Sequence, residues 1–389
     1  MTLYRKAAIT GIGETEYSRS KDGSGLSDQA MQLQAVERAI TDAGLQRGDI
    51  DGIIPSPHGR GFTYEGFSEN LGLREVNYST TLHFGGANGV AAMQTAAMAV
   101  ATGVARHVVV VAGRNGYSGS AKISARPGLP GANFENMREF ESPFGASVPM
   151  HFYALMARRH MALYGSTSRQ FGMVAVCERE HALLNSSALM KKPMTIEDHQ
   201  NSPWIAEPFR LFDCCLESDG AAAYIVSAAD AARDRPKKPA WILGIAEGHP
   251  ESPTSVATRA DMLRSGVAIA APRAFRMAGV APGDLRAAML YDPFTFLVIA
   301  QLEGLGCCRP GEGGPFVEAG EIRRGGRLPV NTHGGLLSQS HSTAAINHVC
   351  EAVRQLRGEA GAAQLGQPAP ILVTGNGDFG DGAVAILGD

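Results

Sequence analysis

Unbroken apolar runs alternate along the chain with stretches whose apolar residues recur at helical spacing. AAITGIG (7–13), HVVVVAG (107–113), AAAYIV (221–226), ILGIA (242–246), ILVTG (371–375) and AVAILG (383–388) read as strands covered on both faces. Their alternation with helical patterns predicts an α/β protein with mostly parallel sheets.

The polar punctuation between these runs repeats. Residues 36–54, VERAITDAGLQRGDIDGII, and 271–289, APRAFRMAGVAPGDLRAAM, each carry a helix ending at Ala-Gly, then Gly-Asp, then an apolar strand. Gly44 aligns with Gly279 and Gly48 with Gly283, both at an offset of 235. A glycine just past a helix and a capping aspartate before the next element account for this spacing. RHVVVVAGRN (106–115) likewise parallels PAPILVTGNG (368–377), DGAAAYIVS (219–227) parallels DGAVAILGD (381–389), and AAITGIGET (7–15) parallels AWILGIAEG (240–248). One α/β unit is used twice, so two halves about a pseudo-twofold axis are expected.

The halves differ in one connection. About a hundred residues separate VVVVAG from DGAAAYIV, whereas the second half has only NGDFG at that place. Excursions of that length are usually functional. This one holds the helix-like HFYALMARRHMALYG (151–165) and RQFGMVAVCEREHALLN (169–185), so it is expected to lie over the site. The expected division is 1–113 with 219–235 as one half, 114–218 as an inserted loop domain, and 236–389 as the other half.

HFGGANG (83–89) follows a short apolar stretch and heads the small-residue helix VAAMQTAAMAVATG. Strand, glycine turn and helix is how a nucleophile is presented to substrate, yet this turn contains neither serine nor cysteine. In the second half VNTHGGLLSQSH (330–341) heads TAAINHVCEAVRQLRG. The pseudo-twofold axis brings the two turns together at the seam, a place ligands favour. A glycine turn at a helix N-terminus presents amides to an anion, which suits a thioester oxygen becoming an enolate.

Composition narrows the classes. At 44% hydrophobic and 19% charged, with a formal net charge of −3, the chain has an ordinary enzyme-like balance. It has no basic stripe for nucleic acid and no polybasic membrane patch. Val90 to Ala112 carries Gln94, Arg106 and His107 and breaks at Gly103, so it reads as a helix and a strand, not a membrane span. MTLYRKAAITGIGE enters a strand directly with no visible signal peptide, which predicts a cytoplasmic protein with free thiols. The six cysteines show no CxxC spacing, so no metal site is expected. Cys214–Cys215 and Cys307–Cys308 sit beside apolar residues and read as buried packing away from the glycine turns.

His341, between glycines, a serine cluster containing Ser340, and a helix start, is a candidate acid/base or oxyanion donor. His333 is ambiguous between that role and orienting its turn. Tyr291 ends an apolar strand, where its hydroxyl either reaches a strand-end cleft or is merely satisfied in the core. Asp292 reads as a turn carboxylate or one supporting the site from behind. Asn331 either orients a water or the catalytic histidine, or bonds its own backbone. Gly86 and Gly375 are the candidate oxyanion-turn positions.

Taken in order, YGSTSRQFGMVAVCEREHALLN, EPFRLFDCCLESDGAAAYIV, YDPFTFLVIAQLEGLG, GEGGPFVEAG, GGRLPVNTHGGLLSQSH and AVRQLRGEAG resemble the thiolase superfamily. The branch is that of sterol-carrier-protein thiolases and related lipid-transfer proteins. The resemblance implies a five-layered αβαβα fold with an inserted loop domain and a dimer formed by the N-terminal halves. It also implies a coenzyme-A thioester as substrate, with no further cofactor. It puts Gly86 where the acyl-accepting sulfur of a thiolase would be and Tyr291 at the place of the water-positioning Asn or His. His341 falls at the Gly-His-Pro histidine, and Thr374, beside Gly375, at the second cysteine.

Thiolysis and Claisen condensation by the thiolase route need an activated thiol; retro-aldol cleavage of a β-hydroxyacyl-CoA does not. Steroid side-chain aldolases of this superfamily place a tyrosine at the Tyr291 motif. They also carry a second catalytic tyrosine in the C-terminal half, and this chain has none after Tyr291, so His341 substitutes for it or the reaction differs. Three readings stay open: an aldolase-like lyase with a small OB-fold, zinc-ribbon protein partner, an acyltransferase subunit of a complex, and a non-catalytic acyl-CoA or lipid carrier.

Overall fold

A computed structural model describes residues 2–56, 63–119, 137–146, 148–252, 255–377 and 380–389. Part of the 114–218 excursion and two residues of the NGDFG connection lie outside these. The first half runs β1 (Ala7–Glu14), α1 (Asp28–Asp42), β2 (Gly52–Pro55), α2 (Tyr64–Leu71), β3 (Tyr78–Ser79), α3 (Asn88–Ala101) and β4 (His107–Asn115). The excursion contributes α4 (Pro149–Tyr164), α5 (Ser168–Ala182), α6 (Ile196–Gln200) and a small hairpin of β5 (Trp204–Ala206) and β6 (Phe209–Arg210). β7 (Asp219–Ala228) and α7 (Ala229–Arg233) then close the first half. The second half has β8 (Ala240–Gly248), α8 (Gly266–Ala278), β9 (Ala287–Met289), α9 (Thr295–Gly304), α10 (Gly313–Glu318), α11 (Ile346–Arg357), β10 (Ile371–Asn376) and β11 (Gly382–Gly388).

One nine-stranded sheet runs β3-β2-β4-β7-β1-β8-β11-β10-β9. Outward from its middle, β1-β7-β4-β2 on one side mirrors β8-β11-β10-β9 on the other. The directions match as well: β1–β7, β7–β4, β8–β11 and β11–β10 are antiparallel, while β4–β2 and β10–β9 are parallel. This is the duplication, strand for strand. It also corrects the expectation of mostly parallel sheets. The apolar runs reflect cover on both faces, which an antiparallel centre can have too when helices pack on each side.

The shared punctuation caps matching helices. Ser27 accepts from Ala30 N at the start of α1 and Ser265 from Ala268 N at the start of α8. Gly44 and Gly279 end them with φ of 63° and 68°, left-handed values at which glycine carries no Cβ penalty.

Three apolar clusters define the layers. α1 and α2 cover one face of the first half-sheet through Met31, Val36, Ile40 and Phe67. α8 covers the outer face of the second, joined by Phe152 of α4 and Phe171 of α5. Between the half-sheets lie α3 and α11, packed on Ile9, Val110, Tyr224, Ile242 and Val373. The order is αβαβα. α3 and α11 approach closely where they begin: Gly89 N–H donates to Ala344 O at 3.1 Å, and a Cβ on Gly89 would collide with that oxygen. Among the described residues, no helix is long and apolar enough to cross a membrane.

Candidate active site

Tyr291, two residues beyond β9, is held by its backbone on both sides. Its N–H donates to Thr374 Oγ1 at 2.9 Å, its carbonyl accepts from Gln301 Nε2 at 2.7 Å, and Thr374 donates in turn to Gln301 Oε1 at 2.6 Å. Thr374 is thus spent on positioning Tyr291. So anchored, and 4% exposed, the ring projects across the seam to the first half's glycine turn. A Cβ on Gly86 would collide with the Tyr291 hydroxyl and Cζ. The tyrosine hydroxyl therefore fills the volume that a side chain at residue 86 would need.

His341 comes to the same point from the second half. Its Nε2 lies 3.2 Å from the Tyr291 hydroxyl, its N–H donates to Ser218 Oγ at 2.9 Å, and its carbonyl accepts from Arg114 at 3.3 Å. Ala87 N–H is spent on Phe84 O and Asn88 N–H on Gly85 O. The Gly85 and Gly86 amides stay outside that ladder, at the positive end of α3. Gly375 packs against the same turn, since a Cβ there would fall 2.8 Å from Ala87 Cα. It keeps β10 tight on the start of α3. The strand expected before the turn is reduced to Tyr78–Ser79.

The other candidates lie behind this pair. Asn331 does not line the cleft. It is fully buried with φ of 50°, its Oδ1 accepts from Leu290 N, and its amide donates to Leu290 O and Glu178 Oε1, all at 2.8 Å. Both amide hydrogens are used on Leu290 and Glu178, which leaves none for a water. Asp292 is buried too: Oδ1 meets His348 Nε2 at 2.9 Å, and Oδ2 accepts from Leu336 N at 2.7 Å and Leu337 N at 3.0 Å. It ties down the turn before His341. His333 is fully buried against the His348 ring at 4.8 Å, with neither ring nitrogen bonded among the described residues. Burial, with His348 next, drives its pKa well below the ordinary value. It packs behind the turn, against the His348 ring. Ser340 belongs to a hydroxyl chain, 2.9 Å from Ser218 Oγ, that supports the His341 amide from behind.

Cys215 is not remote packing, because its Sγ lies 3.0 Å from His341 Nδ1. Burial, and then the Asp292 charge, push its thiol up to about 12, so it is a neutral thiol. Its apolar flank hides it in the sequence; only its place three residues before Ser218, at the approach to β7, hints at the site. A separate groove of about 1020 Å³ is lined by Glu14, Arg38, Asp42, Lys237 and Arg354. Its charges are largely paired with one another, Arg354 with Glu14 and Lys237 with Asp42, so it offers no comparable chemistry.

The chain is 40% identical to a steroid side-chain-cleaving aldolase of Thermomonospora curvata, over 95% of this chain and 94% of that protein. The chain belongs to the thiolase superfamily. Residues 248–389 match the thiolase C-terminal domain-like family. A 17-hydroxy-3-oxo-4-pregnene-20-carboxyl-CoA lyase of Mycobacterium tuberculosis is 39% identical, over 96% of this chain and 97% of that one. Among solved structures, an Ltp2-ChsH2(DUF35) aldolase is similar with a TM-score of 0.92 at 38% identity, covering 100% of this chain and 99% of that one.

Proposed function

We propose that this thiolase-superfamily enzyme cleaves the Cα–Cβ bond of a β-hydroxyacyl-CoA by a retro-aldol reaction, with Tyr291 and His341 as the proton-handling pair. The observation that carries the reading is the Tyr291 hydroxyl, lodged where residue 86 has no side chain and 3.2 Å from His341 Nε2. Tyr291 first loses its proton to solvent, its phenolate held by a donor on His341 Nε2, and the phenolate oxygen then takes the β-hydroxyl proton and becomes a phenol. The carbonyl forms at Cβ, the Cα–Cβ electron pair moves into the thioester, and the Gly85–Gly86 amides hold the resulting enolate oxygen. The proton carried by the pair returns to Cα, and an acyl-CoA leaves with a ketone or aldehyde.

The names of the similar proteins support the same class, a steroid-derived CoA thioester included. Acyl transfer through an acyl-enzyme has weaker support, because Cys215, the thiol at His341, is held protonated by burial. A carrier would have no use for a paired tyrosine and histidine at a glycine turn. Coenzyme A enters as part of the substrate, with no other cofactor. We assign 114–218 as the inserted loop domain between halves formed by 1–113 with 219–235 and by 236–389. We further propose a homodimer, and a small OB-fold, zinc-ribbon partner; the two-component name of the similar solved structure supports a protein partner.

The test is mass spectrometry of products from a panel of β-hydroxyacyl-CoA thioesters, steroid-derived ones included, with such a partner co-expressed. Equal amounts of a carbonyl product and a shortened acyl-CoA are expected. Covalent acylation of the protein, seen as a mass increase, would contradict the reading.

A further inference from the structure

We propose that Cys215 is a positioning residue that donates its S–H to His341 Nδ1 and so fixes the tautomer in which Nε2–H faces Tyr291. The inference rests on the retro-aldol reading for its functional consequence, but the tautomer itself is a property of the resting protein.

The segment carrying the thiol is tied to both parts of the site. Cys214 forms an isolated bridge with Phe294, Cys215 N–H donates to Pro293 O at 2.9 Å, and Leu216 N–H donates to Leu336 O at 3.1 Å. Pro293 is two residues from Tyr291, and Leu336 lies in the turn that leads to His341. The thiol is therefore placed by the same backbone that places its two neighbours, and its Sγ stands 3.0 Å from Nδ1.

A neutral imidazole has one donor and one acceptor nitrogen. Two arrangements fit the row Cys215–His341–Tyr291. In one, S–H donates to Nδ1 and Nε2–H donates to the tyrosine oxygen. In the other, Tyr291 donates to Nε2 and Nδ1–H points at sulfur. A thiol is a weak donor and its sulfur a weak acceptor, but only the first arrangement gives the Cys215 S–H an acceptor among the described residues. The thiol keeps that proton, since burial and the Asp292 charge outweigh the opposing Arg114. The chosen tautomer is the one the reaction needs, because a donor at Nε2 stabilises charge on the tyrosine oxygen. In other enzymes an incorrect histidine tautomer, with geometry otherwise intact, costs as much as about 10⁴-fold in kcat.

The same shape can be kept without the donor. Cys215→Val retains bulk and removes S–H; Cys215→Ser retains a donor and loses some bulk. With the full chain and its partner, kcat is expected to fall about tenfold or more in Cys215→Val at unchanged KM, and to return to within about threefold of wild type in Cys215→Ser. A packing role would order the two variants the other way. Independently of turnover, ¹⁵N NMR of histidine-labelled protein, with His341 assigned through a His341→Ala variant, is expected to show Nε2–H in the wild type and in Cys215→Ser. A tautomer mixture is expected in Cys215→Val. Nδ1–H at His341 in the wild type would overturn the proposal even if the retro-aldol reading stands. If instead no thioester is cleaved, the Nε2–H signal and its loss in Cys215→Val still decide it.

Discussion

The two glycine turns occupy equivalent places in the duplicated halves and have diverged in opposite directions. The first, Gly85–Gly86 at the start of α3, offers only backbone and space. The second, Gly334–Gln339 before α11, is a π-type turn pinned by Asp292 through two amides and packed on Glu178, Asn331, His333 and His348. Duplication lets one copy become an empty socket while the other becomes a rigid mount that delivers His341. Tyr291, from the second half, then fills the socket of the first. A side chain from across the seam thus takes the space beside Gly86.

The largest effects should come from the side chains that cross between the two regions. Tyr291→Phe keeps the ring and removes the proton-transfer oxygen; His341→Ala removes its partner. Each should slow cleavage by about 10²–10⁴-fold in kcat, measured at saturating thioester, with unfolding midpoints near wild type. An equal loss of stability in either would mean the pair is structural.

A matched pair of glycine substitutions separates socket from mount. At Gly335, with φ of 60°, a Cβ would collide with Asp292 Oδ2 and Glu178 Oε2. Gly335→Ala should therefore destabilise by about 3 kcal/mol or more, read by denaturant unfolding. Gly86→Ala meets the Tyr291 hydroxyl and ring end, so it should cost activity by about tenfold or more with a smaller loss of stability, about 1–2 kcal/mol. If both variants lose stability alike, the socket-and-mount contrast fails.

These assignments show what the sequence could carry. The duplication was legible because caps and helix-ending glycines are local and recur at a fixed offset, as Gly44 and Gly279 do. The seam was legible only in outline. Gly86 and Tyr291 are far apart in sequence, and nothing local says that one leaves room for the other. Asn331 is open in the sequence between a site role and a bond to its own backbone; its left-handed backbone and saturated amide appear only when Leu290 and Glu178 are in place. Cys215 reads as core in the sequence because apolar neighbours are the usual sign of packing, and Cys350 does fit that reading, buried in the central cluster. The mixed strand directions were hidden because double-sided cover makes antiparallel strands as apolar as parallel ones.

Acid should weaken the mount more than the socket. His181 is buried beside it with its pKa lowered by burial from 6.5 to about 4, and His333 is lowered well below its ordinary value. The unfolded chain takes up protons that the folded one refuses, so stability falls as pH drops from about 6.5 toward about 4. For His181 the loss approaches about 3 kcal/mol at the lower end. His333→Leu removes two buried nitrogens that lack partners among the described residues. It should flatten this acid limb in denaturant midpoints measured from pH 7 to pH 5. An unchanged slope would exclude His333 from it.

The smallest effect is expected at Glu178. Burial, and then the charge of Asp292, raise its pKa well above 4.5, so the folded protein binds a proton that the unfolded chain releases. This group costs stability as pH rises above about 4.5. Glu178→Gln keeps an acceptor for Asn331 and should change stability at neutral pH by no more than about 1 kcal/mol, toward stabilisation. A marked loss in the calorimetric midpoint would mean the carboxylate is charged.

The central claim is that Tyr291 and His341, brought together across the seam, act as one proton-transfer unit. Its most direct test is a double-mutant cycle on kcat for Tyr291→Phe, His341→Ala and the combined variant, measured with the partner present. If the two act together, the combined variant should be about as slow as the slower single variant. A rate loss equal to the product of the two single losses would show that they act independently, and the account would be wrong.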